Sequence, residues 1–410
     1  MAKPQRYTYS RHWIFLKLFR LIFAPIFIPY YRFKRKKIKI RKTGPYLILA
    51  NHQADFDVIF LDMLFDAPLY YVASEQLLNA GFGSWFLRTF FNPIPKSKSL
   101  ADFALVKRIK SVVNEGGNIA IFPEGNASMN GGPSRIPDGM GRLIKFLNMP
   151  VKIMHVKGIY MSSPRWAYFR KFGPTTIEEA MTLTPEMIAQ MSTEALDTLV
   201  KEKLQVSAYD QPQHPYKGRR LAEGLHKLVF TCPSCQSLFS TYSQGSTLKC
   251  RKCDYVATYD VMGYLHTAHS RKSLITLDQE NLERFDLAMQ KNKETFVANV
   301  PCRVGFWDRS FLKRSPYQPA MMKLDKYGIK LTLNKGETFY PYSQLFSQAI
   351  QGKRYLLVYP EGAPMMMIRL PRVYSPYTYM NVIQWYKHQL VEGTKHDDSQ
   401  QHSAAAFLGL

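Results

Sequence analysis

Apolar and polar positions fall in blocks along this chain, and each block predicts an element. PYLILAN (45–51) is an apolar run of strand length, and FDVIFLDMLF (56–65) carries its apolar residues at helical spacing. Residues 99–117 open on Ser99 and Asp102, arranged like a capping box. They repeat Leu100, Phe103, Val106 and Ile109 and stop at Gly116–Gly117, which predicts a capped helix. NIAIF (118–122) and PVKIMHVKGIY (150–160) read as further buried strands, and Thr184–Pro185 opens a helix reaching about Leu204. Strands alternating with helices predict an α/β fold with a mixed, mostly parallel sheet flanked by helices. Loops at the strand ends are then available for chemistry.

Beyond about residue 262 the period shortens. KLDKYGIKLTL, ETFYPY, KRYLLVYP and PMMMIRLP alternate with turns, and Ser375–Pro376 cap a closing helix running to about Leu390. We expect a basic arm (1–43), an α/β domain (44–206), a linker and cysteine module (207–261), a small β-rich domain closed by a helix (262–393) and a disordered tail (394–410). The linker is the polar stretch SAYDQPQHPYKGRR, 207–220.

Charge changes the picture at the N-terminus. The net charge is +24, yet residues 1–42 hold thirteen Lys and Arg and no acid; the first acidic residue is Asp55. Within this arm lies WIFLKLFRLIFAPIFIPYY (13–31), apolar but interrupted by Lys17, Arg20, Pro25 and Pro29. A spanning helix needs about 20 mostly apolar residues without charges at mid-depth. The pattern therefore predicts an in-plane or shallow anchor, with RFKRKKIKIRK (32–42) against anionic headgroups. The competing reading is an amphipathic helix covering the next domain.

The candidate chemistry sits at two strand ends. PYLILAN runs into NHQADFD, with Asn51, His52 and Asp57; 72 residues beyond His52, NIAIF runs into Phe122-Pro123-Glu124-Gly125-Asn126-Ala127-Ser128. This order, with NPIPKSKS (92–99) between and Pro150–Val151 after, resembles the glycerolipid acyltransferase family, which includes the lysophosphatidic acid acyltransferases. Asn51, His52 and Asp57 match its Asn-His-x-x-x-x-Asp motif, and Phe122 to Gly125 its Phe-Pro-Glu-Gly motif. The likeness covers roughly residues 44–205.

The resemblance implies acyl transfer from an acyl carrier protein or coenzyme A thioester to a lysophospholipid hydroxyl. The acceptor expected first is 1-acylglycerol-3-phosphate, giving phosphatidate; glycerol 3-phosphate or another lysolipid is the alternative. His52 would be the general base and Asp57 its orienter. Asn51, Glu124, Gly125, Asn126 and Ser128 would help to hold the acceptor. Many relatives carry Thr-Arg-Ser after the glycine, and that arginine is thought to grip phosphate; here the positions are Asn126, Ala127 and Ser128. Lys96, Lys98 and Arg135 are candidate replacements, with Arg142 and Lys145 nearby in sequence. YPEG recurs at 359–362 with no histidine motif beside it and reads as a hairpin turn.

Of five cysteines, Cys232 and Cys235 form one CxxC pair and Cys250 and Cys253 another, fourteen residues on. This layout reads as a closed four-thiolate Zn²⁺ site, a structural zinc ribbon; two disulfides are the alternative. Similar ribbons extend some bacterial members of the acyltransferase family, where SPRW (163–166) and YKGRRLAEGL (216–225) look familiar as well. The β-rich end resembles pleckstrin-homology-like modules by element order alone. The location implied is the cytoplasmic face of the cell membrane, with anionic lipid and carrier protein as partners. A nucleic-acid-binding protein built on the arm and ribbon is the contrasting class. The ribbon's only cations, Lys249, Arg251 and Lys252, gather at one knuckle, so no nucleic acid is expected.

Overall fold

The computed structural model describes residues 9–74, 82–96, 102–210, 214–308 and 314–395. It divides into two compact units, residues 1–164 with 170–217, and residues 165–169 with 218–410.

The first unit is a mixed, mostly parallel α/β sheet. Its strands are β1 (Phe33–Lys34), β2 (Leu47–Ala50), β3 (Leu69–Ser74), β4 (Ile94–Lys96), β5 (Asn118–Ile121), β6 (Val151–Lys157) and β7 (Thr175–Leu183), in spatial order β1-β7-β6-β2-β5-β3-β4. The β6–β7 pair is antiparallel and the other pairs are parallel. Its helices are α1 (Tyr9–Tyr30), α2 (Asp57–Leu64), α3 (Phe82–Phe90), α4 (Asp102–Asn114), α5 (Met140–Leu147), α6 (Ile159–Ser162), α7 (Pro185–Gln190) and α8 (Thr193–Leu204).

All four residues of β2 are buried, as a central strand covered on both faces requires. Ile48 and Ala50 join one core with Leu16 and Phe19 of α1 and Phe60 and Leu64 of α2. Leu47 and Leu49 join the other with Ile109, Ile144, Leu196 and Val200 from α4, α5 and α8. The alternation of a pleated strand thus sorts one short run into two cores.

On one side the N-terminal helix covers the first unit, as the competing reading expected. Leu16, Phe19 and Ala24 are buried, and Arg20 reaches α2, donating from Nη2 to the Asp62 carbonyl at 2.5 Å and from Nε to Asp62 Oδ2 at 3.3 Å. The opposite side leaves Ile14, Leu18, Leu21, Ile22 and Ile26 exposed, Leu21 at 73%. The helix is long and apolar enough to cross a membrane by length and composition, and it continues through Pro25 and Pro29 to Tyr30.

Two further expectations change. The single helix read from Thr184 to Leu204 is two, because Ser192 takes extended backbone and caps α8 by accepting from Ala195 N–H at 3.0 Å. Of the stretch read as linker, 207–210 and 214–217 are packed on the first unit. Ala208 N–H donates to the Gly131 carbonyl at 2.8 Å, and Tyr216 lies on Gly173 with its hydroxyl donating to the Pro174 carbonyl at 2.7 Å. Ser99, within the expected capping box, lies outside the described residues.

The second unit is antiparallel. Five short strands, β8 (Thr241–Gln244), β9 (Thr247–Cys250), β10 (Val256–Tyr259), β11 (Tyr264–His266) and β12 (Arg271–Ser273), form one sheet in the order β12-β11-β10-β9-β8. Helix α9 (Leu274–Asn292) follows. A seven-stranded sheet then comprises β13 (Ala298–Phe306), β14 (Gln318–Leu324), β15 (Gly328–Leu333), β16 (Gly336–Pro341), β17 (Leu345–Gln351), β18 (Tyr355–Pro360) and β19 (Met366–Arg369). Helix α10 (Pro376–Lys395) closes it, packing Tyr379, Val382, Ile383, Trp385 and Tyr386 into the core. The second YPEG is the expected turn: Glu361 and Gly362 (φ +67°) connect β18 to β19.

Close packing of α5 on α8 fixes the first unit's second layer. Asp197 accepts from Gly139 N–H (3.2 Å) and Gly141 N–H (2.8 Å), capping α5 from a neighbouring helix. A Cβ at Gly141 would lie 2.1 Å from the Thr193 carbonyl oxygen. Gly141→Ala is therefore expected to cost at least about 1–3 kcal/mol, read as a lowered denaturation midpoint; unchanged stability would refute this packing.

Candidate active site and metal centre

Strands β2 and β5 are adjacent and parallel, pairing Leu47 with Ile119 and Leu49 with Ile121. Their carboxyl ends are therefore side by side, and the two sequence motifs leave the sheet together. The backbone of His52 joins them. Its N–H donates to Glu124 Oε1 at 2.8 Å, and its carbonyl accepts from Ser128 N–H at 3.0 Å. The second Glu124 oxygen accepts from Ser134 N–H at 2.8 Å, so one buried carboxylate ties the histidine loop to the 133–136 segment. Burial pushes the Glu124 carboxyl above its ordinary range, opposed by the His52 and Ser134 amides.

The imidazole is fixed by two further contacts. His52 Nδ1 lies 2.8 Å from Asp57 Oδ2, and its ring stacks on Phe122 with centroids 4.5 Å apart and planes 26° from parallel. Asp57 is the first residue of α2 and fully buried. Its Oδ2 also accepts from Gln53 N–H (2.6 Å) and Ala54 N–H (3.0 Å), while Oδ1 has no hydrogen-bond partner among the described residues. Burial raises the Asp57 carboxyl above its ordinary range, against the His52 contact and these amides. A carboxylate here selects the Nδ1–H tautomer, leaving Nε2 as the basic nitrogen. Nε2 has no partner among the described residues, and the side chain is 17% exposed.

The other sequence candidates divide. Asn51 spans from β2 to β6, donating from Nδ2 to the Val156 carbonyl (3.0 Å) and accepting at Oδ1 from Val156 N–H (2.7 Å). Ser128 is buried: its hydroxyl donates to the Gly132 carbonyl (2.7 Å) and accepts from Gly131 N–H (2.9 Å). Ala127, where the resemblance led us to expect an arginine, is 5% exposed. Gly125, with φ +71°, and Asn126 are exposed, and the Gly125 amide closes the turn onto the Phe122 carbonyl at 3.0 Å. Arg135 is exposed directly after the clamped Ser134. Lys96 is exposed at the end of β4, two strands from β5 on the same sheet edge; Lys98 lies outside the described residues. Phe122 is the contributor that sequence reasoning did not assign to the site. An aromatic residue before Pro-Glu-Gly, at the mouth of a strand beside the histidine, was the available signal.

In the second unit the four cysteines converge, with all Sγ atoms within 4.8 Å of one another. Cys232 and Cys253 are 3.6 Å apart and Cys235 and Cys250 3.8 Å. A tetrahedron with metal–sulfur bonds of about 2.3 Å has sulfur–sulfur edges of about 3.8 Å, so the set fits a tetrahedral ion. Ser234 N–H donates to Cys232 Sγ (3.4 Å) and Lys252 N–H to Cys250 Sγ (3.3 Å), as knuckle turns do for bound thiolates. Cys302 is buried in β13, away from the set.

With both sites placed, the chain can be compared with known proteins. Residues 32–156 match the family model Acyltransferase. That span contains His52, Asp57 and the Phe122–Gly125 turn. Two solved structures are similar at low scores. One is the 1-acyl-sn-glycerophosphate (LPA) acyltransferase PlsC of Thermotoga maritima, 16% identical over 47% of this chain and 90% of that one, TM-score 0.37. The other is the N-terminal PH domain of human ARAP2, 14% identical over 27% of this chain and 90% of that one, TM-score 0.20. Among curated proteins, none matches.

The thiolate set predicts a measurable dependence. Strong chelation of the full chain, or Cys250→Ser, is expected to lower its melting temperature by several degrees, because metal binding is folding free energy at such sites. Unchanged melting after verified metal removal would contradict a structural ion.

Proposed function

We propose that this protein transfers an acyl group from a thioester, carried by coenzyme A or acyl carrier protein, to the free hydroxyl of a lysophospholipid. The acceptor we favour is 1-acylglycerol-3-phosphate, giving phosphatidate. The observation that supports this most directly is the His52 imidazole, held through its backbone, its Nδ1 and its ring face, with Nε2 left over. The family match over the same residues agrees with it.

In this reading His52 Nε2 takes the proton of the acceptor hydroxyl as its oxygen attacks the thioester carbonyl carbon. The C–O bond forms, the C–S bond breaks, and the proton passes from His52 to the leaving thiolate. Asp57 steadies the imidazolium through Nδ1. No covalent enzyme intermediate is needed. Glu124 acts by holding His52 and Ser134 together, and Arg135 beside it is the cation we assign to the acceptor phosphate, with Lys96 on the flank. The exposed face of α1 and the cations of 32–42 would lie in an anionic cytoplasmic leaflet, which brings a lipid acceptor to the sheet edge. We assign the four-thiolate ion as zinc, closed and structural.

His52→Ala and Asp57→Asn are each expected to lower thioester-dependent acylation by about 10²- to 10⁴-fold while leaving the melting temperature near that of the native chain. Near-native turnover by a folded variant would remove the proposed base. Arg135→Gln is expected to raise the acceptor KM about tenfold, the loss of one charge-assisted contact, with a smaller change in kcat. An unchanged KM would take Arg135 out of the acceptor site.

A further inference from the structure

The second unit contains a buried lysine that no carboxylate among the described residues accompanies. Lys227, at the end of the 3-10 turn Leu225–Lys227, is 2% exposed. Its ammonium lies 4.2 Å from the centroid of the Tyr168 ring and has no hydrogen-bond acceptor among the described residues. Tyr168 belongs to the short 165–169 segment, the part of the chain's first half that joins this unit. The same ring carries a second cation, the Arg372 guanidinium at 4.4 Å.

The surrounding charges are also positive. Lys353, Arg372 and Arg354 act on Lys227 and, after burial itself, lower its pKa to about 7; no acid acts in the opposite direction. Glu223, the nearest carboxylate in sequence, accepts from Gly245 N–H at 3.0 Å. His226 is held neutral, its pKa pushed down to about 4 chiefly by burial.

The cations are unequally occupied. Lys353 donates to the Ala167 carbonyl (2.8 Å), Arg354 Nε to the Leu370 carbonyl (3.0 Å) and Arg372 Nη2 to the Tyr168 carbonyl (3.1 Å). Both arginines retain guanidinium N–H groups with no partner among the described residues, and Lys227 retains its whole ammonium. Burying an ammonium among like charges is costly, and one aromatic face offsets only part of it.

We infer that Lys227 and Arg372, both on the Tyr168 ring, form with Arg354, which is bonded to Leu370 two residues before Arg372, a binding site for a phosphate-class dianion, carried on a lipid headgroup or free. Two guanidinium forks and an ammonium suit three acceptor oxygens, and a dianion would neutralise the uncompensated charge. The site is separate from the chemistry at His52 and stands or falls independently of it.

Full-length protein and inorganic phosphate test it, with chloride exchanged to keep ionic strength constant. The melting temperature of the native chain is expected to rise with phosphate. Lys227→Met keeps most of the stem's volume and should melt no lower without phosphate, since it removes an uncompensated buried charge. Its apparent phosphate affinity should fall about tenfold or more. Arg354→Gln should weaken the response in the same direction and serves as the test if Lys227→Met fails to fold. No phosphate response in the native chain, or equal responses in native chain and variant, overturns the site. Vesicles of phosphatidylcholine with and without phosphatidate identify the source: binding lost in Lys227→Met assigns a lipid-borne phosphate, and unchanged vesicle binding beside a lost phosphate response assigns a free one.

Discussion

The first unit's candidate site depends on how one histidine backbone is held. His52 donates its N–H to Glu124 and gives its carbonyl to Ser128, so the loop after β2 and the loop after β5 form one body. Neither loop has regular structure of its own to fix a side chain within the tolerance a proton transfer needs. The sheet supplies the coarse placement, because parallel neighbouring strands end at the same edge. The buried Glu124 carboxylate supplies the fine placement, holding His52 and Ser134 amides on its two oxygens. Asp57 and Phe122 then fix the ring. Glutamate suits this task because a two-oxygen acceptor can clamp two donors while its own burial excludes water.

Much of the architecture could be read from local pattern. PYLILAN and NIAIF are short apolar runs between turn signals, and both became central strands; Ser375–Pro376 did open a closing helix. What the sequence hid was long-range. Nothing near Arg20 announces that Asp62, 42 residues on, will bind it, so a helix read as an arm also covers one face of the sheet. The polar stretch after Leu204 looked like a free linker because Gly173, which leaves room for Tyr216, is far away in sequence. Ser192 stopped a helix that periodicity alone carried through.

The site shows the same division. Motif spacing brought His52, Asp57 and Glu124 to attention, but it did not distinguish side chains that face a cleft from those that build it. Asn51 and Ser128 share the motifs with His52, yet their polar atoms are spent on Val156, Gly131 and Gly132. Phe122 was visible only as a motif letter until its ring was seen stacked on the imidazole. The second unit reverses the balance: two CxxC pairs made the thiolate set plain, whereas the cations Lys227, Arg354 and Arg372 come from three separated segments and share no motif.

The central claim is that Asp57 holds the His52 imidazole by Nδ1 so that Nε2 is the base. Nitrogen-15 NMR of the full chain, labelled at histidine and assigned by comparison with His52→Gln, reads this directly. Above the pKa of the ring, the account predicts a protonated Nδ1 with a downfield proton and an unprotonated Nε2. A His52 ring protonated at Nε2, or an even mixture of the two tautomers, would contradict it.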